Sequence, residues 1–223
     1  MPLKDFIDFV VGSLAALFPV IDPIGSVPIF LVLTAGVPKA LRRSYAKRVA
    51  INVIALLIGF LLVGGGILRF FGISLEVVRI AGGIVVFHAA WHTMNAESRL
   101  SEVENQDVIQ KTEQHKDISF MPMTIPLLAG PGAIAVALGL AAEASRGVEA
   151  AATAVHLVAV AVAIALIGLI IYIALSSSTL LLKWLGAGGI HALSRLLGLF
   201  VMAIGVQLIL NGLGDWLQSL RLM

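Results

Sequence analysis

The chain contains no cysteine, which excludes disulfides, thiolate metal ligands and a cysteine nucleophile and leaves the redox compartment unread. Charge is also scarce: 13% of the 223 residues are Asp, Glu, Lys or Arg, about half of the ~25% usual in water-soluble domains. The first residues, with Lys4, Asp5 and Asp8, lack the basic start of a signal peptide, so they read as part of an uncleaved first span. No stripe of basic residues interleaved with aromatics occurs, which argues against nucleic acid as a partner. Gly64-Gly65-Gly66 is neither preceded by a strand nor followed by Lys-Ser/Thr, so it is no phosphate loop. Nothing implies a cofactor.

What the chain has in abundance is apolar surface. Some 59% of its residues are hydrophobic, and the mean hydropathy is +1.02. A soluble domain of this size could not hide that much, so lipid is the expected solvent. A spanning helix needs about 17–25 apolar residues. Six stretches qualify, at 6–34, 45–68, 74–94, 119–141, 150–175 and 193–215. A polar linker at 96–118 separates a first repeat, 1–95, from a second, 119–223. The expected fold is an all-α polytopic membrane protein.

The two halves echo each other. Arg79-Ile-Ala-Gly82 opens the third span and Arg195-Leu-Leu-Gly198 opens the sixth, 116 positions later, with Asn95 and Asn211 closing the two at the same spacing. Pro23-Ile-Gly25 in the first span and Pro131-Gly132-Ala133 in the fourth lie 108 positions apart. Three spans per copy is an odd number, so the copies should sit in the membrane with opposite topology. Inverted repeats with paired interrupted helices point to a transporter site. Basic residues concentrate on the cytoplasmic side. Lys39, Arg42, Arg43, Lys47, Arg48, Arg99, Lys111, Lys116, Lys183 and Arg195 fall on one side, against Lys4, Arg69, Arg79, Arg146 and Arg221 on the other. Both termini are therefore expected outside.

Breaks are expected in the first and fourth spans. Pro19, Pro23 and Pro28 fall within one short stretch that also holds Gly25, and Pro126, Gly130, Pro131 and Gly132 do so in the fourth. Each proline removes a backbone donor and clashes with the preceding turn, and freed backbone groups persist at membrane depth only against protein or a wet cavity. The N–H groups of a reopened helix attract an anion; the carbonyls before the break can hold a cation. Facing breaks would suit a zwitterion, with Gly25, Ser26, Gly130 and Gly132 as contacts. Packing kinks are the plainer alternative. Asp22 reads both as a helix cap before Pro23 and as a cation or proton site within the first span.

Other residues carry weaker readings. Arg79 and Arg195 could hold a carboxylate bidentately, though at span starts snorkelling to the headgroups is the stronger expectation. Gln207 is a further candidate contact. His88 and His92 have an i, i+4 metal spacing but no acid or cysteine beside them, so no metal site is expected. His156, near one end of span five, reads as interface packing, and Ala159, Ala163, Ala161 and Ala165, small residues four apart, as close helix packing.

The residues Asp22-Pro-Ile-Gly-Ser-Val-Pro-Ile-Phe30 and Ile125-Pro-Leu-Leu-Ala-Gly-Pro-Gly-Ala133, with the two Arg-starting motifs, resemble the MarC family of bacterial and archaeal inner-membrane proteins. The likeness covers almost the whole chain. The family in turn resembles the LysE-type exporters. The resemblance implies a secondary transporter of small neutral amino acids working by alternating access, with export and proton or sodium coupling left open. A channel or carrier for another solute, an intramembrane enzyme and a structural subunit are the competing readings. No enzyme is expected, since no Ser-His pairing or second intramembrane acid accompanies Asp22. A homo-oligomer stays open.

Overall fold

The computed structural model describes residues 3–95, 118–144 and 150–221. Among them every regular element is helical: α1 Leu3–Ile21, α2 Val27–Leu33, α3 Lys39–Phe70, α4 Leu75–Asn95, α5 Ser119–Leu128, α6 Pro131–Ala144, α7 Ala150–Ser176 and α8 Ser178–Arg221. The expected linker lies outside the described residues up to position 117.

Four helices, α3, α4, α7 and α8, are long and apolar enough to cross a membrane, or five if α5 and α6, bent 64° apart, count as one broken span. The first expected span, α1 with α2, does not qualify on these grounds. Any 18-residue stretch of α1 contains Lys4, Asp5 and Asp8, and α2 has only seven residues. Many large apolar side chains face outward, among them Phe70 at 84% and Trp184 at 82% exposure. Such a surface suits hydrocarbon and the interface, not water.

The interruptions follow from the prolines. In α5, Met121 and Ile125 have extended backbone (φ −118°, ψ 129° and φ −115°, ψ 126°), as expected for residues that precede a proline. The backbone compensates with wide-turn bonds from Met123 N–H to Ile118 O and from Ala129 N–H to Thr124 O. Thr124 adds its hydroxyl to Ser119 O at 2.7 Å. In α8 the helix kinks at Gly186 (φ 66°, ψ 171°), a conformation few other residues adopt. The sixth expected span thus begins after a short helical arm that carries Lys183 and the exposed Trp184.

α4 and α8 form the tightest pair in the molecule. They run antiparallel, because Gly212 meets Glu76 and Ile80, Gly205 meets Gly83 and Phe87, and Gly198 meets Ala90 and Met94. A Cβ on Gly83 would lie 2.6 Å from Gly205 O, and one on Gly205 2.9 Å from Gly83 O. The two backbones touch, the small-residue packing on which helix association in lipid relies. α3 packs on α7, where Gly168 lies against the Ile54 side chain and the Ala50 carbonyl. Ala159 and Ala163 are fully buried, as close packing requires, whereas Ala161 is half-buried and Ala165 exposed, so only one of the two alanine pairs faces a neighbouring helix.

Candidate functional site: the break between the first two helices

α1 ends where Pro19 and Pro23 stop it, and the chain turns at Asp22, which has φ 46°. Asp is among the few residues that enter this left-handed region readily. Its carboxylate then does what the sequence suggests for a cap: Oδ1 accepts the Gly25 N–H at 2.9 Å. Ser26 donates its hydroxyl to Pro23 O at 2.8 Å, and the N–H groups of Ser26 and Val27 reach Asp22 O and Ile24 O. Residues 22–26 therefore make a closed turn in which the N–H groups of Gly25 and Ser26 are engaged by Asp22. Those two N–H groups are thus spent on the cap and not turned to an anion.

Asp22 is 4% exposed. A Cβ built on Gly25 would fall on Asp22 Oδ2 and on Ser194 Oγ of α8, so these two oxygens crowd the same face of Gly25. Next to them lies a cavity of about 40 Å³, lined by Pro19, Val20, Asp22, Thr93, Ser194 and Gly198 and by neighbours on α4 and α8. The Ser194 hydroxyl is buried and has no hydrogen-bond partner among the described residues. Asp22 comes from the turn after α1, Thr93 from α4 and Ser194 from α8, and this polar group in an apolar bundle can hold a cation or one or two waters.

The second break lies close by. α6 opens on Pro131, so its first N–H groups are those of Gly132 and Ala133. A Cβ on Gly132 would sit 3.1 Å from Val86 Cγ2 and 3.6 Å from Val20 Cγ1. Val20 also lines the Asp22 cavity, so one side chain separates the two breaks. Gly130 is pressed against the Pro126 carbonyl, and Pro131 is exposed. Of the residues singled out from the sequence, the fold gathers Asp22, Pro23, Gly25 and Ser26 in one buried turn and brings Gly132 to its edge.

The other candidates lie elsewhere. Gln207 is exposed and bonds Asn211 one turn along its own helix at 2.8 Å. Arg195 is exposed. Arg79 corrects the snorkelling expectation: it is 5% exposed and forms an ion pair with Asp215 of α8, and Nη2 donates to Gly139 O of α6 at 3.4 Å. The carboxylate it holds belongs to its own chain. A guanidinium this deep must be paired, and Asp215, at the very end of the sixth expected span, is the partner that sequence reasoning overlooked. An acid at a span end was its only signal. Ser194 had none, being one hydroxyl beside a more conspicuous arginine. His88 and His92 are exposed, their rings 4.5 Å apart edge to face, and no group of three or more His, Asp or Glu among the described residues could hold a metal.

Fold and site together define an all-helical integral membrane protein with interrupted helices packed at its centre. Family comparison agrees with that class. A model described as "MarC family integral membrane protein" matches residues 7–217, and the chain belongs to that family. It is 34% identical over 207 residues to UPF0056 membrane protein MJ1677 of Methanocaldococcus jannaschii, covering 93% of this chain and 97% of the relative. With UPF0056 membrane protein YvbG of Bacillus subtilis it shares 34% over 210 residues, 92% of this chain and 94% of the relative. With UPF0056 inner membrane protein MarC of Citrobacter koseri the figures are 30% over 212 residues, 93% and 95%. No solved structure matches.

Proposed function

We propose that the chain is a secondary transporter of small neutral amino acids, working by alternating access around the two breaks, and not an enzyme. The observation that carries this reading is Asp22: a buried acid in the left-handed turn between two helices, beside Ser194 and a small cavity. Intramembrane acids in that setting mark ion and substrate pathways. One carboxylate oxygen caps the turn, and the other faces Ser194, where a coupling proton or sodium ion would sit. A cavity of about 40 Å³ admits an ion or a little water, not an amino acid. In this reading the breaks have closed on each other, and solute enters when Val20 separates from Val86 and Gly132.

The six-span, inverted-repeat arrangement belongs to the same proposal. The packing supports it: α4 lies on α8 and α3 on α7, while α1 meets α7 as α3 meets α5 and α6. Exchanging the two halves maps this set of neighbours onto itself. Both termini are placed outside, on the distribution of Lys and Arg. Single cysteines at Ser101 and Ser219 in this cysteine-free chain test that with an impermeant thiol reagent on intact cells. Labelling at Ser219 alone agrees; labelling at Ser101 alone reverses the assignment.

The decisive experiment uses proteoliposomes containing only this protein, a panel of labelled amino acids, and imposed proton or sodium gradients. Gradient-driven accumulation of glycine, alanine or serine is expected. If no solute on the panel moves, the transporter reading falls and a structural membrane subunit takes its place.

A further inference from the structure

A second, larger cavity opens at the end of the bundle where α1 begins. It has a volume of about 580 Å³ and is walled by Asp5, Asp8 and Phe9 of α1, Glu143 at the end of α6, and His156 near the start of α7, with Gly12, Ser13 and Ala16 along its side. That volume lies within the range of small-molecule sites. Three carboxylates face it, and no Lys or Arg among the described residues lines it. His156 Nδ1 donates to Ala144 O at 3.3 Å, which makes Nε2 the acceptor in the neutral ring. The ring also stacks on Phe9 at 4.5 Å, which builds an aromatic wall on one side.

Acidic residues at a helix end are commonplace, and alone they define no site. Ser13 adds an independent observation. It is 2% exposed and lines this cavity, yet its hydroxyl has no hydrogen-bond partner among the described residues. A buried, unsatisfied hydroxyl is costly unless a ligand or water completes it. No group of three or more His, Asp or Glu among the described residues could hold a metal. Negative charge around a cavity with an aromatic wall suits an organic cation instead, which gains from a ring face.

We infer that this cup binds a primary ammonium group, seated between Asp5, Asp8 and Glu143 and hydrogen-bonded to the Ser13 hydroxyl. The same chemistry is offered by a small soluble amine and by the headgroup of phosphatidylethanolamine. The site needs no transport activity. Its position is nonetheless informative, because Asp5, Phe9, Gly12, Ala16, Pro19 and Val20 follow one another at helical spacing along α1 and so share one face. That face leads from the outer cup to the Asp22 cavity.

The test is a binding titration, separate from any flux assay. The full chain in dodecyl maltoside is titrated calorimetrically with 1,4-diaminobutane, with 1,4-butanediol as the uncharged control. Saturable binding of the amine and none of the diol is expected. Asp5→Asn combined with Asp8→Asn and Glu143→Gln should weaken it about tenfold or more. Gly12→Leu should abolish it with an unchanged melting temperature, because a Cβ at Gly12 meets nothing within 4 Å and the added side chain enters open space. Repeating the titration with phosphatidylethanolamine in the micelles separates the two sources: competition makes the headgroup the natural occupant, and its absence leaves a soluble amine. No saturable binding by the wild-type chain, or binding undiminished in both the triple variant and Gly12→Leu, overturns the proposal.

Discussion

The two Arg-x-x-Gly starts look alike in the sequence and have opposite fates in the fold. Arg79 is buried against Asp215 and the Gly139 carbonyl, tying α4, α6 and α8 together, whereas Arg195, at the matching position of the second half, is exposed. The breaks diverge in the same way. The first carries an acid, a left-handed turn and a capping bond; the second carries Gly130, Pro131 and Gly132 with no charge at all. In the proposed repeat the two halves would share a backbone plan while the buried acid sits in only one of them.

The arginines give the sharpest way to break this comparison. Arg79→Ala leaves Asp215 without its cation and should destabilise the protein by about 3 kcal/mol, while Arg195→Ala should stay within about 0.5 kcal/mol. Thermal unfolding of the purified variants in detergent checks both. Equal losses would mean that the halves are equivalent after all. Arg79→Met combined with Asp215→Leu should recover most of the loss, since replacing both partners of a buried pair by apolar groups is often neutral.

The glycines at the breaks come next. A Cβ on Gly25 meets Asp22 Oδ2 and Ser194 Oγ, whereas one on Gly132 meets Val86 Cγ2 at 3.1 Å, the movable end of a side chain. Gly25→Ala is therefore expected to cost about 1–3 kcal/mol by overpacking and to lower flux with it. Gly132→Ala should fold nearly as well as the wild type. Gly25→Val tests folding more than transport, and Gly132→Val is the variant that reads the closing of the breaks, through lost solute flux in protein that still inserts. Comparable melting temperatures for the two alanine variants would contradict the crowding at Asp22.

The smallest change in stability is expected at Asp22 itself. Asp22→Asn retains a capping oxygen, and Asn and Asp cap about equally well, so melting should shift little. The two roles then separate in function: gradient-driven uptake should fall while substrate exchange without a gradient survives. Uptake and counterflow on the same proteoliposomes check this. Normal gradient-driven uptake would reduce Asp22 to a cap and make the two breaks functionally alike.

Much of this was legible in the chain alone. Hydropathy placed α3, α4 and α7 within a few residues, because a helix that must satisfy its backbone in lipid leaves a long unbroken apolar run. Proline positions located both interruptions, since a ring without an N–H acts locally whatever surrounds it. The capping role of Asp22 was readable for the same reason: its partner Gly25 is three residues away. Less legible was the first span, whose charges at Lys4, Asp5 and Asp8 keep α1 from passing as a membrane helix by composition, although those acids line the larger cavity.

The sequence by itself determined the helical elements, the breaks and the local turn at residues 22–26, because each depends on interactions within a few residues along the chain. Only the tertiary structure decided which polar groups meet. Ser194 reaches Gly25 and Asp22 across the bundle, and Arg79 finds Asp215, 136 residues away. Both meetings depend on the rotation of α8 about its axis against α4. That rotation is set by backbone contact at Gly83 and Gly205, and small residues leave no directional signature in a sequence already rich in them.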